Sequence, residues 1–164
     1  MPKTSAVIAS PIGKLAIEAD NQYLYQIHFE SELELLPSQN SLTARVLTQL
    51  DAYFTDAKFQ FDLPIRLETT AFRQKVLTAL QAIPSGSTLT YGELAKKLAT
   101  GPRAIGNACR HNPIPLVIPC HRIVAQSSIG GFSGAKHGKL IAMKQWLLQH
   151  EDKFSNGIIS TANS

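Results

Sequence analysis

The sequence is short of cysteine, tryptophan and charge, and each shortage narrows what the chain can be. Its 164 residues hold two cysteines, Cys109 and Cys120. Two cannot build a disulfide framework or a four-cysteine zinc site. Both are therefore read as thiols in a reducing compartment. Charged residues make up 17% and aromatics 7%, with a single Trp. The 44% of hydrophobic residues excludes a disordered chain and leaves a mainly aliphatic core, enough for one domain or two small ones. Long apolar runs are missing as well. Residues 114–118, with prolines among and around them, fall far short of the ~20 residues that span a bilayer. Near the N-terminus, Pro11, Gly13 and Lys14 break the apolar residues too early for a secretion signal. There is no internal repeat and no low-complexity tract. The expectation is a soluble, cytoplasmic protein with no membrane partner, no metal and no cofactor.

Charge is scarce but unevenly placed. Residues 1–70 hold five Lys/Arg against nine Asp/Glu, a net of −4. Residues 71–164 hold eleven Lys/Arg against Glu93, Glu151 and Asp152, a net of +8. A basic half suggests a polyanion partner, but from charge alone ordinary solvated surface charge is the favoured reading.

The chain reads as α+β, with a change of character near residue 70. Leu15, Ile17 and Ala19 alternate with polar neighbours, as do Tyr23, Tyr25, Ile27 and Phe29, and Asp20-Asn21 supplies the turn of a hairpin. His28, alone on its strand, reads as structural. Leu42, Val46, Leu50 and Phe54 predict a helix over 41–54. Phe59, Phe61 and Leu63 predict a short strand ending at Pro64. The predicted domains are 1–69, a small α/β structural unit, and 70–164.

In the second part, Phe72, Val76, Leu80 and Ile83 predict an amphipathic helix that stops before Pro84, and Ser85-Gly86-Ser87 a turn. Thr90-Tyr91-Gly92-Glu93 matches a capping box, in which Thr90 and Glu93 satisfy each other's free amides. That helix is expected to run to about Leu98. Gly101-Pro102 marks the next helix start, and Arg103 to Arg110 follow. Two short helices joined by a Gly-containing turn in a basic region read as a helix-turn-helix or as an αα-hairpin in a core. Ala104, Gly106 and Ala108 are small, so the second helix can approach another helix, or a DNA groove, closely. Arg103 stands at its leading end.

The most informative stretch is Asn112-Pro113-Ile114-Pro115-Leu116-Val117-Ile118-Pro119-Cys120-His121-Arg122-Ile123-Val124. Its prolines predict a rigid extended segment that fixes Cys120. An adjacent imidazole and cation favour a thiolate. A Cys-His pair taken alone is more often structural than catalytic. Neighbouring residues of an extended chain point to opposite sides, so His121 could serve Cys120 as a base only through a bend or a bridging water.

Pro119-Cys120-His121-Arg122-Ile123 resembles the active-site motif of the O6-alkylguanine-DNA alkyltransferases, the methylated-DNA–protein-cysteine methyltransferases. The likeness extends in order over residues 70–151. It takes in the helix at Phe72, Ile83-Pro84-Ser85-Gly86, Thr90-Tyr91-Gly92-Glu93-Leu94-Ala95, Arg103-Ala104-Ile105, Asn112-Pro113, Gly131-Phe132-Ser133-Gly134 and Lys144-Gln145-Trp146-Leu147-Leu148-Gln149-His150-Glu151. The resemblance implies a ribonuclease-H-like α/β N-terminal domain and a mainly helical, winged-helix-like C-terminal domain with a helix-turn-helix. It implies direct-reversal DNA repair, in which an alkyl group passes once and irreversibly from guanine O6, and in some members from thymine O4, to the protein's own cysteine.

Carried over position by position, the resemblance makes Cys120 the acceptor and His121 the base that deprotonates it through a water. Glu151 becomes the carboxylate that orients His121, and Asn112 the brace of the active-site turn. Tyr91 assists proton delivery to the leaving guanine. Ser133 contacts guanine O6, the main chain at Cys120 and Ile123 accepts from its exocyclic amine, and Pro115 and Phe132 line the pocket. Arg103 is the finger that fills the stack after the base flips out. Ala104 and Gly106 allow minor-groove approach, and Arg110 and Thr90 complete the DNA-binding set. The implied partner is double-stranded DNA containing O6-alkylguanine, met by a monomer or by molecules cooperating along the duplex. Phe132 stands where many members carry tyrosine. Residues 136–141 read as a mobile Lys- and Gly-rich insertion before the closing helix, and Cys109 as a packing residue. A lesion-binding module without chemistry, a cysteine hydrolase and a sequence-specific regulator are the competing functions.

Overall fold

A computed structural model of the chain describes residues 4–29, 31–135 and 137–151. Lys3, Lys136 and Asp152 lie outside the described residues. Among the described residues, no helix is long and apolar enough to cross a membrane. The chain divides into two compact units. Met1–Glu68 with Pro113–Pro115 forms one, and Thr69–Asn112 with Leu116–Ser164 the other.

The first unit is an antiparallel sheet of three strands in chain order: β1 (Thr4–Ile8), β2 (Leu15–Ala19) and β3 (Leu24–His28). The β2–β3 hairpin turns where Asp20 Oδ1 accepts from the amides of Gln22 and Tyr23, at 2.7 and 2.8 Å. An aspartate that binds its own downstream backbone in this way is a turn former. His28 pairs with Glu18 of the neighbouring strand. Helix α1 (Ser41–Thr55) starts at Asn40, whose Oδ1 accepts from Thr43 N at 2.8 Å. Its apolar stripe buries Val46, Leu50 and Tyr53 with Leu15, Ile17 and Leu24 of the sheet.

Two expectations for this unit need correction. β1 was not foreseen, because Ser5, Ala6 and Val7 are buried in succession and show no alternation. Ser5 is accommodated because its hydroxyl donates to Ala19 O at 2.5 Å. The strand expected over residues 59–63 does not form. Asp62 bonds sideways to α1, with its amide donating to Gln49 Oε1 (2.9 Å) and its carbonyl accepting from Gln49 Nε2 (3.0 Å). Phe59 meets Phe61 edge to face, and the Phe61 ring lies tilted against Tyr53. Sheet-like pairing is limited to one parallel bridge, Leu24 to Ile65. Pro113 belongs here through its carbonyl, which accepts from Ile27 N at 3.0 Å.

The second unit is helical. It comprises α2 (Ala71–Gln81), α3 (Tyr91–Lys97), α4 (Pro102–Arg110) and α5 (Lys139–His150), with a two-residue parallel pair, β4 (Leu89–Thr90) and β5 (Ile123–Val124). Thr70 caps α2. Phe72 was expected on the buried stripe of α2, but it is 39% exposed, and Leu77 fills the core beside Val76 and Leu80. Val76, Leu80 and Ile83 are buried as expected, so only Phe72 departs from the stripe. The capping box forms: Thr90 Oγ1 accepts from Glu93 N at 3.0 Å and Glu93 Oε1 from Thr90 N at 2.8 Å. Between α3 and α4, Ala99 takes φ 55° and Thr100 N reaches back to Ala95 O at 2.9 Å. This left-handed closure is usually given to glycine. Pro102 then opens α4 in the first turn, where its missing N–H is not needed. The closing helix starts earlier than expected, inside the stretch read as an insertion. Gly138, at φ 91°, ends the loop, and residues 139–141 form the first turn of α5.

Leu50 is fully buried on α1. Leu50→Ala should lower the unfolding free energy by about 2–5 kcal/mol, read as a drop in the urea midpoint. A loss under about 1 kcal/mol would contradict the assigned core.

Candidate active site

The proline-rich segment is not straight. Leu116 takes φ 75°, and Pro119, at φ −81° and ψ 66°, is the centre of an inverse γ-turn closed by Cys120 N donating to Ile118 O at 2.8 Å. Cys120–Arg122 then makes one turn of 3₁₀ helix, with Arg122 N bonded to Pro119 O at 3.0 Å. The expected extended geometry gives way because Pro119 fixes φ but leaves ψ free to turn. The bend buries Cys120, His121 and Arg122 together.

His121 and Arg122 converge on Glu151, the C-cap residue of α5. His121 Nε2 lies 2.8 Å from Glu151 Oε2, and both side chains are wholly buried. Arg122 donates from Nε to Oε1 and from Nη2 to Oε2, each at 2.8 Å, and from Nη1 to Ile83 O at 2.6 Å. Burial alone would raise the Glu151 carboxyl, but His121 and Arg122 overcome it and hold the group well below the usual carboxylate range. Glu151 is therefore ionised and accepts only. His121 must then carry its proton on Nε2 and keep a lone pair on Nδ1. Burial lowers the imidazole from its ordinary 6.5, against the pull of Glu151, so it is neutral. Nδ1 is buried and has no hydrogen-bond partner among the described residues.

Cys120 faces the opposite demand. Burial pushes its thiol up, while a hydrogen bond from Asn112 and the charge of Lys144 pull it down without cancelling the rise. Asn112 Nδ2 also donates to Ile118 O at 2.9 Å, bracing the turn before the cysteine. The resting group is a thiol that needs a base.

Cys120 opens onto a cavity of about 530 Å³ walled by residues of the second unit. From α4 come Arg103, Gly106, Cys109 and Arg110. The loop of residues 132–135 supplies Phe132 and Ser133. That loop is a two-residue hairpin turn. Phe132 and Ala135 exchange both backbone bonds at 2.9 Å, while Ser133 and Gly134 take φ 49° and 85°. Positive φ at both central residues defines a type I′ turn. A Cβ on Gly134 would also lie 3.0 Å from Arg110 Nε. Tyr91 completes the wall. Its hydroxyl points to Gly131 O at 3.5 Å, and burial pushes it up to about 12. Gly130 permits this, since a Cβ there would sit 2.9 Å from the Tyr91 ring.

The cavity wall thus brings together Cys120, Tyr91, Ser133, Phe132, Arg103, Gly106 and Arg110. Other expected site residues lie elsewhere. Pro115 is buried in the first unit, Thr90 caps α3, and Ala104 is half-buried on α4 outside the wall. Ile123 is buried, and its carbonyl accepts from Lys144 Nζ at 2.6 Å. Cys109 is buried, and burial pushes its thiol up to about 12. Among the described residues, no group of three or more His, Cys, Asp or Glu could hold a metal ion. Sequence reasoning took Arg122 as a cation favouring the Cys120 thiolate, whereas it pairs with Glu151, and it gave Lys144 no role. Arg122 stood inside the quoted motif, but nothing in the sequence shows that either cation is buried.

Residues 4–67 match the family described as 6-O-methylguanine DNA methyltransferase, ribonuclease-like domain, and residues 71–153 its DNA binding domain. The chain is 35% identical over 144 residues to a methylated-DNA–protein-cysteine methyltransferase of Metallosphaera sedula, covering 87% of this chain and 88% of that one. It is similar to the crystal structure of Mycobacterium tuberculosis O6-methylguanine methyltransferase, with a TM-score of 0.77 and 32% identity over 92% of this chain and 93% of that one. M. tuberculosis OGT in complex with DNA gives 0.71 and 34%, over 90% and 92%. These likenesses bear out the expected fold class, a small N-terminal sheet domain and a helical DNA-binding domain.

His121 and Glu151 both hold protons less readily folded than unfolded, so the unfolded chain takes up more protons in acid. Their stabilisation is complete above the ordinary values and is lost on acidification. The melting temperature should fall as pH drops below about 6.5, and more steeply below about 4.5. Glu151→Gln should remove the lower step and destabilise the neutral-pH fold by about 3–5 kcal/mol, because Arg122 is left buried without its counter-charge. A melting temperature that is flat from pH 7 to 4 would contradict this.

Proposed function

The chain belongs to the 6-O-methylguanine DNA methyltransferase family, and we propose that Cys120 is the acceptor through which it works. It is a methylated-DNA–protein-cysteine methyltransferase that acts by direct reversal, once per molecule. The observation that carries the assignment is a buried thiol opening onto a cavity beside a neutral histidine, whose far nitrogen is locked to a carboxylate.

In this reading one water links the Cys120 thiol to His121 Nδ1. The imidazole takes the thiol proton through it, and Glu151 stabilises the cation that forms, as the third member of a triad does. Arg122 keeps Glu151 ionised and aimed. The thiolate attacks the O-linked carbon, so the S–C bond forms as the C–O6 bond breaks and the electron pair passes to the guanine. Tyr91 gives the departing base its proton and is restored by the imidazolium. The thiol proton thus ends on guanine, and the alkyl group stays as a thioether. Asn112 steadies the turn, while Ser133 and Phe132 face the base from the loop. The positive φ of Ser133 sets where that hydroxyl points.

The reacting carbon lies inside a stacked duplex, so the nucleotide must be flipped out. Helix α4 is the element that meets DNA. Arg103 fills the stack, Ala104 and Gly106 let the backbone enter the minor groove, and Arg110 and Thr90 complete the DNA-binding set. The substrate is double-stranded DNA carrying O6-alkylguanine, bound without sequence preference. The +8 charge of the second half supports an affinity that falls with salt. The first unit is structural, and a monomer suffices.

With a duplex labelled in the O6-methyl group, protein in excess of lesion should take up all the label. Lesion in excess should stop at one methyl per chain, found on the Cys120 peptide. Cys120→Ala should bind the duplex and take up none. Label on another residue would contradict the acceptor assignment. Arg103→Ala should slow transfer from duplex by about 10- to 100-fold, since flipping costs a few kcal/mol, and should leave transfer from the free O6-methylguanine nucleoside unchanged. Equal losses on both substrates would contradict its role in flipping.

A further inference from the structure

We propose that Arg110 is a positioning residue for the transfer. Its side chain covers Gly134 and so fixes the turn that presents Ser133 to the guanine, from the same helix that docks on DNA. This rests on the reading that Ser133 faces the flipped base. Arg110 is the last residue of α4 and lies exposed on the cavity wall. Of the heavy atoms around a Cβ built at Gly134, the three nearest all belong to Arg110: Nε at 3.0 Å, Cγ at 3.4 Å and Cζ at 3.6 Å. The arginine stem and the root of its guanidinium therefore run along the face that the glycine leaves bare.

The turn needs such a cover. Ser133 takes φ 49°, a left-handed conformation that a residue with a Cβ keeps only where its surroundings impose it. At the base of the turn, Phe132 and Ala135 form one isolated bridge, with no longer ladder behind it among the described residues. Before the turn, the buried Lys144 holds Gly131 O at 2.8 Å. At the tip, Arg110 is the side chain that meets Gly134. An arginine packs through its stem as well as through its charge. Among the described residues its guanidinium has no ion pair and no hydrogen bond. The stem thus serves the turn while the charge stays available to a phosphate. Docking of α4 and placement of the Ser133 hydroxyl run through one side chain.

Arg110→Ala removes cover and charge, and Arg110→Met restores the cover without the charge. Two substrates separate the two roles. The free O6-methylguanine nucleoside offers no phosphate, and an O6-methylguanine duplex is titrated over a range of salt to give affinity and limiting rate. Transfer is read as label on the Cys120 peptide. Melting curves check the fold, which a change at an exposed helix end should leave intact. In Arg110→Ala, transfer from the nucleoside and the limiting rate from duplex should both fall by about tenfold, since a misplacement of about 1 Å costs up to about 100-fold. Arg110→Met should recover both rates to within about threefold of the wild type. Both variants should bind duplex more weakly, with a salt slope smaller by about one. An unchanged nucleoside rate in Arg110→Ala overturns the proposal and leaves Arg110 a phosphate contact alone. A loss that Arg110→Met does not recover also overturns it, because charge rather than cover would then set the rate. An unchanged salt slope overturns the DNA contact of Arg110 instead, and label on a residue other than Cys120 overturns the acceptor assignment.

Discussion

The buried carboxylate of Glu151 is the constraint on which the site depends. It accepts from His121 and Arg122, residues 30 and 29 positions away in the chain, and so ties the end of α5 to the turn that carries Cys120. Arg122 continues the tie to the carbonyl of Ile83, just beyond α2. A buried carboxylate with one partner barely repays its lost hydration. Here two donors share it, one a permanent cation in a two-point grip, and that keeps it charged. Its ionisation fixes the histidine tautomer. The tautomer in turn leaves the one lone pair that can take a thiol proton.

Around that fixed base the backbone does the shaping. Pro119 turns the chain into the cysteine, and the 3₁₀ turn sends three consecutive side chains to separate tasks: Cys120 to the cavity, and His121 and Arg122 to Glu151. Glycine is required where another group must approach, at Gly130 under the Tyr91 ring and at Gly134 beside Arg110. The loop that closes the cavity is a two-residue turn anchored by Lys144 through Gly131. α4 meets solvent with arginines at both ends and small residues between. The proton chemistry is sealed in the core while the opening faces a polyanion.

Much of this was legible in the sequence. The Asp20 turn and the Thr90–Glu93 capping box rest on local rules and form as those rules predict, as does the stripe of α1 up to Leu50, beyond which Tyr53 rather than Phe54 is buried. Failures came where tertiary partners decide. β1 buries successive residues, so alternation could not reveal it. Residues 59–63 alternate like a strand but bond to side chains of α1. Phe72 fits helical spacing yet faces solvent. The bend at Pro119 depends on ψ, which proline does not fix. The joining of His121 to Glu151 came from resemblance, since nothing in a gap of thirty residues implies a contact. Lys144 was invisible because sequence marks lysine as a surface residue, and only the fold shows it without solvent.

The central claim is that His121 is a neutral base with its proton on Nε2 and a free lone pair on Nδ1. The direct measurement is ¹⁵N NMR of the imidazole in histidine-labelled protein at neutral pH, assigned with His121→Asn. The account predicts a protonated Nε2 and an unprotonated Nδ1 for His121, still mostly neutral at pH 6.5, where an ordinary imidazole is half protonated. An imidazolium at neutral pH, or a proton on Nδ1, would contradict it.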